Sequence, residues 1–124
     1  MPHATCLCGE IQIDVAGDLP TPNACHCTQC RKQSGHYWAS VDLPTSAVTI
    51  TGDIRWYQAS EKVRRGFCGT CGSFLIWDPI RHDSIAIAMG AFDDATKVKL
   101  GSHIFVADKG DYYDITDDLP QNAQ

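Results

Sequence analysis

The sequence predicts a mostly β fold of small antiparallel sheets in a single domain over residues 1–124. Three observations predict it. Apolar and polar residues alternate over short runs, the period of a strand with one buried face. Gly, Pro and Asp punctuate the chain between those runs. Seven cysteines, grouped as Cys6 and Cys8, Cys25, Cys27 and Cys30, and Cys68 and Cys71, supply staples to a chain of this modest length.

In chain order, Gly9 to Gly17 places Ile11, Ile13 and Val15 on one face and Gln12 and Asp14 on the other, so a strand is expected there. Comparable β signals lie at His36 to Val41, Ala47 to Thr51, Ile54 to Ala59, Ser73 to Trp77, Ile85 to Met89 and Ser102 to Ala107. Turn signals separate them at Gly17-Asp18, Leu43-Pro44, Thr51-Gly52-Asp53, Asp78-Pro79 and Lys109-Gly110-Asp111. Thr28 to Ser34, stopped by Gly35, is expected to be helical, and Asp93 to Lys97 a second helical turn. Gln121 to Gln124 read as a loose tail.

The formal charge of -5 argues against nucleic acid or an anionic membrane as partner. Seven thiolates holding two zinc ions would change this by −3, to about −8. Lys62, Arg64 and Arg65 form the one local basic cluster. Neither a secretory signal nor an apolar run of membrane-spanning length is apparent, so a soluble, cytoplasmic, reducing setting is expected. There a cysteine-rich chain binds metal rather than forming disulfides. Bridges within Cys6-Leu7-Cys8 or Cys25-His26-Cys27 would be badly strained.

Cys68-Gly69-Thr70-Cys71-Gly72 has the spacing of a tight turn that delivers two thiolates to one ion. Cys6 and Cys8 lie on the same side of an extended segment and can complete a closed, structural tetrahedron with it. Cys25, Cys27 and Cys30 can aim three thiolates at a second ion, with a fourth position for water, a substrate thiol, His36 or His103. His26 then faces elsewhere. A competing partition joins Cys27 and Cys30 to Cys68 and Cys71, leaving Cys6, Cys8 and Cys25; spacing permits both. Three thiolates weaken zinc as a Lewis acid, which favours presenting a sulfur nucleophile to an electrophile such as an aldehyde over hydrolysis.

Several segments resemble the glutathione-dependent formaldehyde-activating enzyme family, which also contains centromere protein V. They are Cys6-x-Cys8-Gly9, Cys25-His26-Cys27-Thr28-Gln29-Cys30-Arg31-Lys32, Arg65-Gly66-Phe67-Cys68-Gly69-Thr70-Cys71-Gly72-Ser73, His103-Ile104-Phe105, and Tyr113, Ile115 and Asp118-Leu119-Pro120-Gln121. The resemblance implies a β-tent fold, a structural zinc on Cys6, Cys8, Cys68 and Cys71, and a catalytic zinc on Cys25, Cys27 and Cys30. It further implies a carbon-sulfur lyase that adds glutathione to formaldehyde, giving S-hydroxymethylglutathione, or a related thiol-aldehyde reaction. Arg31, Lys32, Arg64 and Arg65 could then neutralise substrate carboxylates, and Trp38, Phe67, Phe74 and Trp77 could wall a pocket or simply pack. His26, His36 and the carboxylates stand as possible acid or base groups. A non-catalytic zinc-stabilised binding module is the alternative. A zinc-containing methionine sulfoxide reductase would need a metal-free nucleophilic cysteine, which a four-plus-three partition does not leave.

Overall fold

The computed structural model describes residues 1–124. Ten strands and one helix follow in the order β1 (His3–Thr5), β2 (Gln12–Val15), β3 (Asn23–Cys25), α1 (Thr28–Ser34), β4 (Trp38–Pro44), β5 (Val48–Thr51), β6 (Ile54–Gln58), β7 (Arg64–Cys68), β8 (Phe74–Asp78), β9 (Ser84–Ala88) and β10 (Ser102–Ile104). They form a three-stranded sheet, β1-β2-β5, and a seven-stranded sheet, β10-β3-β4-β9-β8-β7-β6. Every pairing is antiparallel except β10 with β3, which is parallel and sets Ile104 beside Cys25.

The alternation in β9 explains how the large sheet is covered on both faces. Ile85 and Ile87 turn toward the small sheet and join Ala4, Ile11, Ile13, Val15, Val41, Leu43 and Ile76 in the main core. Ala86 and Ala88 turn the other way, with Trp38 of β4, toward Cys25 and Cys30. Side chains with period two therefore split one strand between a bulky core and a shallow alanine face. That shallow face leaves room for α1 and the central cysteines.

Helix α1 keeps the bounds expected from the sequence. Its N-cap is Cys27, whose Sγ accepts the Cys30 amide at 3.3 Å, and its end is Gly35 at φ 84, whose amide bonds Arg31 O at 2.9 Å. Seven residues form no stable helix in water alone, so the packing of buried Cys30 holds it.

Two expectations are corrected. Asp93 to Lys97 is not helical: the Asp93 amide bonds His3 O and its carboxylate takes the Thr5 hydroxyl, while Lys97 sits at φ 62. Gln121 to Gln124 is not loose, because Gln121 bridges His103 in parallel and the amides of Asn122 and Val106 alternate bonds with the carbonyls of His103 and Asn122. No helix is long and apolar enough to cross a membrane.

Candidate metal centres

All seven cysteines are free, and their sulfurs gather as Cys6, Cys8, Cys68 and Cys71 in one group and Cys25, Cys27 and Cys30 in another. Within each group the sulfurs lie within 4.8 Å of one another, which is the first of the two partitions that spacing allowed. Four thiolates about 2.3 Å from a tetrahedral ion stand about 3.8 Å apart. Cys6 to Cys8 at 3.6 Å and Cys8 to Cys68 at 3.7 Å match that edge.

Two similar turns build the outer group. In the first, the Cys6 amide bonds Ile11 O, the Gly9 amide bonds Cys6 O, and Gly9 takes φ 83. In the second, the Cys68 amide bonds Ser73 O, the Gly72 amide bonds Cys68 O, and Gly72 takes φ 79. Each turn folds backbone amides onto its leading sulfur: Ile11 N on Cys6 at 3.2 Å, Thr70 N and Cys71 N on Cys68 at 3.4 and 3.5 Å. The Ile11 donor favours the thiolate of Cys6, the form that binds metal. The Ser73 hydroxyl, followed by its amide, pulls the Cys71 thiol down to about 5.

The central group sits where β3 meets α1. Cys25 ends β3, Cys27 caps the helix and Cys30 lies one turn inside it, so a strand end and a helix start converge on one point. Hydrogen bonds from the Cys25 and Cys30 thiols, the Cys30 amide and the Arg65 charge together pull Cys27 down to about 2. Cys25 is pushed up by Cys27, by Cys30 and by burial. Soft sulfur donors at this spacing fit zinc well.

Neither histidine considered as a fourth ligand joins this group. His103 is 3 % exposed and engaged at both nitrogens, Nδ1 with His26 Nε2 at 2.9 Å and Nε2 with Asp117 at 2.9 Å. His36 is exposed and packs on Tyr37 and Tyr113. His26 is wholly buried, as the simplest geometry required it faces away from the thiols, and its Nδ1 bonds the Tyr113 hydroxyl. Burial, with the charge of His103 next, pulls its pKa to about 4 and keeps it neutral. Both its nitrogens are occupied, one by Tyr113 and the other by His103. Sequence reasoning did not pair His26 with His103, since 77 residues separate them.

The Tyr113-His26-His103-Asp117 chain also binds residues 109 to 117 to the sheet. Tyr113→Phe, which leaves a His26 nitrogen unpaired, is expected to cost about 1 kcal/mol. Hydrogen exchange should localise the loss to residues 103 to 123, with the β8 and β9 amides unchanged.

Of the basic residues considered for substrate carboxylates, Arg64 is committed to Asp78 at 2.7 Å and lies over the Trp56 ring at 3.7 Å. Arg65 is buried against Cys30 instead. Trp38 stacks on Phe74 at 4.4 Å, and both pack against the central cysteines while lining a cleft of about 630 Å3 with Tyr37, Leu75 and Ala91. The one cysteine lining that cleft is Cys6 of the outer group, so Trp38 and Phe74 stand between the cleft and the central sulfurs. A larger cavity, about 860 Å3 between Met1, Asp18, Phe92 and Lys97, contains no cysteine.

Among curated proteins none matches the chain. A crystal structure of a Rhodobacter sphaeroides protein, solved as a structural-genomics target, superposes with a TM-score of 0.64 at 19% identity, covering 77% of this chain and 91% of that one. At that identity the likeness speaks to the fold. The family model described as glutathione-dependent formaldehyde-activating enzyme matches residues 1–108, a span that holds both cysteine groups and Arg65. By that match the chain belongs to the glutathione-dependent formaldehyde-activating enzyme family.

Proposed function

We propose that this chain is a zinc-dependent enzyme of carbon-sulfur chemistry, joining a small thiol to a small aldehyde, with glutathione and formaldehyde as the pair its family suggests. In the forward direction the thiol S–H and the aldehyde C=O become an S–CH2–OH adduct: a carbon-sulfur bond forms and the thiol proton ends on the former carbonyl oxygen. The observation that carries this reading is the central group itself, three sulfurs converging while His103 and His26 are engaged with each other. On this reading Cys6, Cys8, Cys68 and Cys71 hold a structural ion and Cys25, Cys27 and Cys30 a catalytic one.

Zinc on the central sulfurs supplies a cation to which an outside thiol can add with lowered proton affinity. The remaining work belongs to the chain. Cys27 orients the cluster from the helix cap, where the Cys30 amide fixes its rotamer. Trp38 and Phe74 exclude water from one side of the cluster and offer the adjoining cleft an apolar wall.

The test is exchange NMR on 13C-formaldehyde with glutathione, alongside optical titration of the cobalt-loaded protein with glutathione, cysteine and 2-mercaptoethanol. The expected result is faster exchange between formaldehyde and its adduct, with new sulfur-to-cobalt charge-transfer intensity for the thiol that serves as substrate. Unchanged exchange and an unperturbed cobalt spectrum for every thiol would overturn the enzymatic reading, and both cysteine groups would then serve the fold alone.

A further inference from the structure

Arg65 is 3 % exposed, and no carboxylate stands within ion-pair distance of it. Its partners are the neutral amides of Gln29, 3.1 Å from Nε, and Gln33, 2.9 Å from Nη1, together with the Cys30 sulfur, 3.6 Å from Nη1. The guanidinium also lies 5.5 Å from the Phe74 ring centroid. A buried guanidinium is costly unless an anion compensates it. The anion its surroundings offer is the cluster of Cys25, Cys27 and Cys30.

We propose that Arg65 is the built-in counter-ion and tuning residue of the central metal centre, neutralising the filled cluster and drawing electron density from the Cys30 sulfur. The proposal rests on the reading that this cluster holds a metal. A dication on three thiolates keeps one net negative charge in a largely apolar setting, and one guanidinium cancels it. The hydrogen bond to Cys30 weakens that sulfur as a donor, leaving the ion more electrophilic than three free thiolates would. An incoming thiol is then better able to bind as thiolate. Gln29 and Gln33, one helical turn apart on α1, hold the fork so that it serves Cys30 instead of swinging to solvent.

The test uses cobalt(II) and zinc(II) alone, with no substrate. In Arg65→Met, which keeps the apolar stem but removes charge and donors, zinc affinity at the central site is expected to fall about 10- to 100-fold, the lost counter-charge outweighing the stronger donation from an unbonded Cys30. The sulfur-to-cobalt charge-transfer band of that site should move to lower energy, because an unbonded thiolate gives up its electron more readily. The site formed by Cys6, Cys8, Cys68 and Cys71 should keep its affinity and so report an intact fold. If Arg65→Met does not fold, Gln29→Ala combined with Gln33→Ala, both exposed on the helix, should move the band in the same direction by less. A wild-type chain that takes up one cobalt would defeat the metal reading itself. Two cobalt ions with affinity and band unchanged in Arg65→Met, or in the double variant should Arg65→Met not fold, would defeat only the role given to Arg65.

Discussion

Cys68→Ser is expected to leave a chain without cooperative tertiary structure, even with zinc in excess. Cys68 is fully buried at the end of β7, inside the main core beside Cys6. Its sulfur is the point on which the Thr70 and Cys71 amides converge, and it meets Cys8 at 3.7 Å across 60 residues of chain. The outer cluster therefore fastens the loop after β1 to the turn between β7 and β8, which means the small sheet to the large one. A structural zinc site contributes about 10–16 kcal/mol of apparent binding energy, as much as the whole stability of an ordinary domain, about 5–15 kcal/mol. Serine offers a harder donor that reaches less far, and the three remaining thiols would be left gathered without a shared charge to offset them. Near-UV circular dichroism and metal analysis check this. A two-metal Cys68→Ser protein melting within a few degrees of wild type would contradict the assignment of the outer cluster. Cys71→Ser should lie in between, because Cys71 is only partly buried and Ser73 remains to bond the new hydroxyl.

Much of this architecture could be read from the chain, and the omissions have physical causes. Strand β2 was legible because Ile11, Ile13 and Val15 keep period two and all three are buried. Strand β7 was not, because Arg64-Arg65-Gly66 shows no apolar alternation. Its inward position is a glycine since a Cβ at Gly66 would stand 3.0 Å from both Ile54 Cδ1 and Trp56 Cζ3 and 3.2 Å from Ile76 Cβ. Its other face carries a buried arginine, which hydropathy reads as solvent. Strands β1 and β3 have three residues each, too few for any periodicity. The two sulfur groups were legible because short spacing within each segment limits which thiols can meet. Joining the segments was ambiguous, and only the packing of the small sheet on the large one decided it, by bringing residues 6 to 11 against residues 68 to 73. The engagement of His26 with His103 depends on the parallel pairing of β3 and β10, which no local pattern announces.

Cys27→Ser is expected to do the opposite of Cys68→Ser: to keep the fold and lose the chemistry. Cys27 is partly exposed, lies outside the main core, packs at the edge of the smaller cluster of Cys25, Cys30 and Trp38, and caps α1 by accepting the Cys30 amide. Serine is among the best N-cap residues and replaces that acceptor, so α1 should survive, and stability measured with only the outer site loaded should change by about 1 kcal/mol or less. The central cluster, however, loses one of its three sulfurs. Cobalt uptake should drop from two ions to one, glutathione should no longer alter the spectrum, and formaldehyde-glutathione exchange should return to its uncatalysed rate. The contrast between the two serine variants separates a metal that holds the sheets together from one that binds substrate. A Cys27→Ser protein that retains wild-type exchange would move the chemistry away from Cys25, Cys27 and Cys30 altogether, whereas one that fails to fold with zinc in excess would give this group a structural role like that of the outer four.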